Sequence, residues 1–118
     1  LDGKLIGVAL GDKTSQSFSA IYTFYQVPDK KMSLGTFSVL KQMEYALENR
    51  IKYFYLGYYI AENASLVYKA SFRPNEVYLD REWRPFRNTE GDFLIPRDKL
   101  QWKNSDQLVK AASQMEFT

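Results

Sequence analysis

The 118 residues include no histidine and no cysteine. Ser-His-Asp chemistry, a cysteine nucleophile, a disulfide frame and the usual zinc sites are therefore excluded within this chain. Chemistry is left to Asp, Glu, Lys, Tyr, Gln and backbone groups. Tyr25 and Gln26 close a strand-like run just ahead of a helix start, where a hydroxyl and an amide could orient a nucleophile or bind a developing oxyanion. That helix start, with Ser33, Gly35 and Thr36, joins a good N-cap to a first turn free of bulk. Several unpaired N–H groups then point outwards, which suits an anion. Lys30 and Lys31 lie just before it, and Lys69 and Arg73 stand four apart in a later short helical segment, hence on one face. Tyr58 sits in a tyrosine-rich run where an exposed ring could stack on a base. Each also has a plainer reading: Tyr25 as a sheet aromatic, Gln26 as a solvated strand end, the cations as surface charge and Tyr58 as core.

These residues are placed by the stretch from Ser33 to Ile60, around which the chain is organised. Phe37, Leu40, Met43 and Leu47 recur at helical spacing, with Val39 and Ala46 widening the stripe and Lys41, Gln42, Glu44 and Glu48 on or near the other side. The pattern predicts a long helix lying on a sheet. Asn49 tolerates a left-handed end, and Ile51 to Ile60 then reads as a strand buried on both faces. Phe18 to Tyr25 is also strand-like, so strand, helix and strand favour parallel pairing. Upstream, Leu5 to Leu10 is a short strand joined to it by a turn over Gly11 to Ser17. Downstream, Ser65 to Phe72 makes a short helix stopped by Arg73-Pro74, with Asn63 as its cap. Glu76 to Leu79 and Trp83 to Phe86 form a closing hairpin around Asp80-Arg81-Glu82, and Asp106 to Gln114 a last short helix capped by Ser105. The fold expected is α/β (α+β): half of an acyl-CoA N-acyltransferase-like (GNAT-like) sandwich, a mixed sheet with one long helix.

Composition sets wider bounds. One domain with 45% hydrophobic residues has enough material for a core. No apolar run reaches the length of a membrane span, and Leu1-Asp2-Gly3-Lys4 lacks signal-peptide character. With no cysteine this points to a cytoplasmic setting and no membrane partner. A formal charge of +2 neither announces nor excludes nucleic acid. Asp2-Gly3 is a hairpin-turn signal with no strand before it, and no initiator Met begins the chain. The expectation is a C-terminal piece of a longer protein.

Four separated motifs carry a resemblance: Tyr22-Thr23-Phe24-Tyr25, Ser33 to Leu40, Tyr55 to Ile60, and Tyr68-Lys69-Ala70 with Phe72-Arg73-Pro74. Together and in this order they resemble the arginyl-tRNA protein transferase family. Glu76-Val77 and Trp83-Arg84-Pro85-Phe86 look most like its bacterial branch, the aspartate/glutamate leucyltransferases. The resemblance covers residues 1–86, expected as the C-terminal transferase domain, and leaves 87–118 as an extension. Two positions depart from the family pattern: Ser65-Leu66 where Lys-Met is usual, and Gln26 where an acidic residue often follows the paired aromatics.

The resemblance implies an enzyme that moves leucine, or arginine, from aminoacyl-tRNA to proteins with N-terminal Asp or Glu, marking them for degradation. It implies no cofactor beyond the aminoacyl-tRNA co-substrate and no metal. An aminoacyl ester is already activated and an α-amine is partly neutral at pH 7, so positioning and oxyanion stabilisation can supply most of the rate. Tyr25 and Gln26 would orient the amine or hold the oxyanion. Lys30, Lys31, Ser33, Gly35, Thr36, Tyr58, Tyr68, Lys69 and Arg73 would bind tRNA and substrate, with Arg73 alternatively pairing with the acceptor's acidic side chain. Two other readings stay open. One is an acetyl-CoA-dependent N-acetyltransferase, against which Gly35 stands alone where several glycines are usual; the other is a non-catalytic half domain that binds tRNA or a partner.

Overall fold

The computed structural model describes residues 1–26, 32–100 and 114–116, the last three and Arg97 by backbone alone. Five strands lie in the first 87 residues: β1 (Gly7–Lys13), β2 (Ser17–Tyr25), β3 (Tyr53–Tyr55), β4 (Asn75–Leu79) and β5 (Glu82–Arg87). The long helix α1 (Leu34–Glu48) separates β2 from β3, a 3-10 helix (Val67–Ser71) precedes β4, a second (Arg97–Leu100) follows β5, and β6 (Gln114–Glu116) comes last. The strands make one mixed sheet in the order β1-β2-β3-β6-β4-β5.

The first hairpin runs later along the chain than expected, because β1 extends through Gly11 to Lys13 and the turn shrinks to the residues around Ser15. There the Thr14 hydroxyl accepts the Ser17 amide at 3.0 Å. The register slips opposite Ile21, where Leu10 pairs with Tyr22 but Gly11 with Ala20. This bulge turns Phe18 and Thr23, of opposite parity in β2, to the same α1-facing side. Gly11 is required here, since a Cβ would overlap the Phe18 ring.

The parallel pairing of β2 with β3 is present, but it covers only Ser17–Ser19 against Tyr53–Tyr55. The expected strand over Ile51 to Ile60 is thus three paired residues long. Beyond Tyr55 the chain leaves the ladder, with Gly57 at φ +87°. β2 continues to Tyr25 without β3 beside it, so the two strands part and leave an opening between them.

α1 closes with Arg50 in the left-handed region (φ 55°), not Asn49, while the Ile51 amide reaches the Ala46 carbonyl at 2.9 Å and the Arg50 amide that of Leu47 at 3.1 Å. Those two bonds satisfy carbonyls left open at the helix end, and buried Ile51 supplies the apolar contact of such a stop. Ser33 makes no side-chain cap bond. The helix is also rotated from the expected stripe. Val39, Met43 and Ala46 are buried, whereas Phe37, Leu40 and Leu47 are more than half exposed and Gln42 turns inward. The platform beneath it, built on Phe18 and Phe54, is too narrow to cover more than one stripe.

Two apolar clusters result. Phe18, Val39, Met43, Ala46, Ile51, Phe54 and Leu56 lie under α1, with Tyr68 and Phe72 against them. Tyr59, Ala70, Val77, Leu79, Phe86, Ile95 and Leu100 form the other, with Val67 against it. The expected helix over Ser65 to Phe72 is the shorter 3-10 turn, and it feeds both clusters. Asn63 shapes its approach, accepting the Ser65 amide at 2.9 Å, while Leu66 occupies the cap position. The closing hairpin is present, turning on Asp80 and Arg81, both at positive φ, with Glu82 already in β5. The expected helix over Asp106 to Gln114 lies outside the described residues except for Gln114, which is in β6. β6 sits between β3 and β4, meeting β4 at Glu76 opposite Gln114.

Candidate functional site

The opening between the parted strands is a cleft of about 1270 Å³. Its walls are β2 from Ser19 to Tyr25, the start of α1, the loop Leu56–Gly57–Tyr58 and the 3-10 helix with its approach. Strand parting exposes backbone and side chains of β2 that a continued ladder would cover, so the fold itself makes the site. Tyr25, Ser33, Gly35, Thr36, Tyr58, Tyr68 and Lys69, all expected from sequence, line it together.

Inside, phenol and ammonium groups face a surface with no acid among the described residues. The Tyr25 hydroxyl lies 3.6 Å from where a Gly35 Cβ would stand, so the bare first turn of α1 accommodates it. The Tyr68 phenol is pushed above the ordinary tyrosine range, chiefly by burial and further by Tyr25 nearby; it stays protonated and can donate at neutral pH. Lys69 donates from Nζ to the Tyr58 carbonyl at 3.0 Å. Burial pulls its pKa below the ordinary lysine value.

The remaining expected residues are not in the cleft. The Gln26 amide donates to the Ile6 carbonyl at 2.8 Å and so prolongs the first hairpin; its side chain is not among those lining the opening. Lys69 and Arg73 do not share a helix face. The 3-10 helix ends at Ser71, Phe72 is extended (φ −82°, ψ 96°), and Arg73 swings to the β5 side, over Gly91. Lys30 and Lys31 lie outside the described residues.

Three residues joined the site unannounced. Gln42 Nε2 donates to the Ser38 hydroxyl at 3.1 Å and to its carbonyl at 3.3 Å, and Ser38 meets the Thr23 hydroxyl at 3.3 Å. The Gln42 Oε1 is buried without a hydrogen-bond partner. Gly35, Ser38 and Gln42 stand at i, i+3 and i+7, the spacing that could have revealed a polar stripe turned inward.

Thr23, Tyr25 and Gln42 also border a second cavity of about 730 Å³ between the first hairpin and α1, walled by Ile6, Phe18, Met32, Leu34 and Phe37 among others. Among the described residues neither cavity is lined by an Asp or Glu. Among the described residues no three His, Cys, Asp or Glu side chains gather as metal ligands, and no helix is long and apolar enough to cross a membrane. What the cleft can do is donate hydrogen bonds from phenols, hydroxyls and an ammonium to an oxygen that gains charge.

Comparison with known proteins gives the family. A 39% identical relative, the aspartate/glutamate leucyltransferase of Saccharophagus degradans, aligns over 85 residues, 72% of this chain and 36% of its own. The protein of that name from Gluconobacter oxydans is 44% identical over 82 residues, 70% of this chain and 34% of its own. That from Acinetobacter baumannii is 33% identical over 111 residues, covering 87% of this chain and 41% of its own, so the likeness runs past Phe86. The chain thus spans roughly a third to two fifths of the length of these relatives. No solved structure matches it. Residues 1–79, which hold β1 to β4 and every described wall of the cleft, match the family described as arginine-tRNA-protein transferase, C terminus, and the chain belongs to that family.

Proposed function

We propose that the whole protein to which these residues belong transfers leucine from leucyl-tRNA to the N-terminal amine of proteins beginning with Asp or Glu, and that the cleft is the carbonyl-binding wall of its active site. The observation that carries this is the convergence of Tyr25, Tyr68 and Lys69 on one opening. The acceptor nitrogen attacks the ester carbonyl, the carbonyl oxygen gains negative charge, and donors already in place stabilise it without reorganising. The C–O bond to the terminal ribose then breaks, the ribose oxygen takes a proton and the amine gives one up. The amine's own basicity suits it to attack at neutral pH, and no cofactor is needed. Leucine is favoured over arginine as donor because a guanidinium would find no carboxylate among the described residues of either cavity, whereas Leu34, Phe37 and Met32 offer apolar contact. The parting of β2 and β3 also supports reading the sheet as half of a GNAT-like sandwich.

The test is to supply the whole protein with leucyl-tRNA, arginyl-tRNA and acetyl-CoA in parallel, against peptides beginning with Asp, Glu and Ala. Leucine transfer confined to Asp and Glu is expected. Arginine transfer would change the donor, and acetylation would overturn the assignment.

A further inference from the structure

Arg73 and Arg87 converge on one glycine. Gly91 has φ +99°, and the space a Cβ would take there is filled by the Arg73 guanidinium, with Arg87 Nη2 3.4 Å from the same point. Arg87 is held in place: its Nε donates to the Gly91 carbonyl at 2.8 Å, its Nη1 to the Ala70 carbonyl at 3.0 Å, and its carbon centre lies 4.8 Å over the Phe93 ring. Arg73 is exposed. Among the described residues neither forms an ion pair; those seen are Lys41 with Glu44, and Arg84 with Asp80 and Glu82. Two guanidinium groups brought together without an ion-paired carboxylate repel each other, and a doubly hydrogen-bonded anion between them would remove that cost.

The structure assigns this pair, we infer, as a phosphate site for the RNA backbone of the aminoacyl-tRNA, outside the cleft. The inference rests on the aminoacyl-tRNA reading and adds Arg87 and Gly91 to it. The Ala70 carbonyl that fixes Arg87 belongs to the same 3-10 helix whose Tyr68 and Lys69 line the cleft. An RNA strand with its ester in the cleft therefore passes this turn on its way out. An acceptor's Asp or Glu side chain is less suited, since it must stay within a few bonds of the attacking amine, and neither arginine lines the cleft.

The experiment measures binding of a leucine-tRNA acceptor minihelix to the whole protein across a salt titration. Arg73→Gln should weaken binding several-fold and lower the slope of log K against log salt by about 1. Gly91→Ala should weaken it comparably without changing net charge, because it displaces the Arg73 guanidinium. Wild-type binding with unchanged affinity and slope in Arg73→Gln would overturn the site while leaving the tRNA reading intact. An effect of Arg73→Gln only on binding of an Asp-initiated peptide would overturn it in favour of an acceptor role. Failure of the whole wild-type protein to bind the minihelix at all would overturn both the site and the tRNA reading behind it.

Discussion

Lys69 places a charge where burial disfavours it, and that makes it costly to stability as well as useful to the cleft. With a folded pKa below the unfolded value of 10.5, the unfolded chain binds more protons between the two, so stability should rise with pH through that window. Tyr68 acts oppositely, but only from about pH 10 upward, since its folded value is raised above the ordinary 10.0. Thermal unfolding between pH 7 and 10 should therefore show a Tm that increases with pH in the wild type and stays flatter in Lys69→Met. Activity should move the other way. An ammonium that donates to substrate is lost as pH rises through the lowered pKa, so transfer by the whole protein should decline on the alkaline side earlier than an ordinary lysine would dictate, and Lys69→Arg should extend the plateau. A profile unchanged by Lys69→Arg would remove Lys69 from the donor set. Tyr25, Tyr68 and Lys69 were readable from sequence because their types and motif neighbours mark them. Gln42 was not, because a polar residue on an amphipathic helix is assigned to solvent unless the tertiary partners of the inward stripe are known.

Single residues also set how the elements end. Arg50 takes the left-handed position that glycine occupies at no steric cost, and Arg50→Gly should stabilise the chain by about 0.5–1 kcal/mol in a denaturant titration. At Gly11 the opposite holds. Gly11→Val drives a branched side chain into the Phe18 ring and should cost roughly 1–3 kcal/mol, with Phe18→Leu in the same chain recovering part of it. The existence and type of α1, β2 and the β4–β5 hairpin were legible from period and turn chemistry. Which residues of α1 are covered was not, because that depends on how narrow the β2–β3 platform is. The three-residue length of β3 was hidden for a related reason: Ile51 to Ile60 is uniformly apolar and aromatic, and periodicity cannot show where a ladder stops when burial continues past it.

At the level of the whole molecule, β6 was the least foreseeable part. A strand from residues 114–116 settles between β3 and β4, and no local propensity announces such a pairing. Removing residues 101–118 should leave the facing edges of β3 and β4 unpaired, with a lower Tm and greater aggregation in scattering measurements. The 118 residues alone should show no leucine transfer to an Asp-initiated peptide, since Ile21, Tyr22 and Tyr58 on the cleft wall remain open to solvent rather than facing a second wall. Measurable transfer would show that this wall suffices.

The 3-10 helix has its feet in both apolar clusters, Val67 and Ala70 in one, Tyr68 and Phe72 in the other. It acts as a coupling rod. If the β4–β5 side opens as its own cooperative unit, Tyr68 and Lys69 lose their bearing on the cleft, so occupancy of the cleft and closure of that distant hairpin favour each other. Amide hydrogens of Val77 and Leu79 should then exchange more slowly when a leucine ester without its RNA fills the cleft.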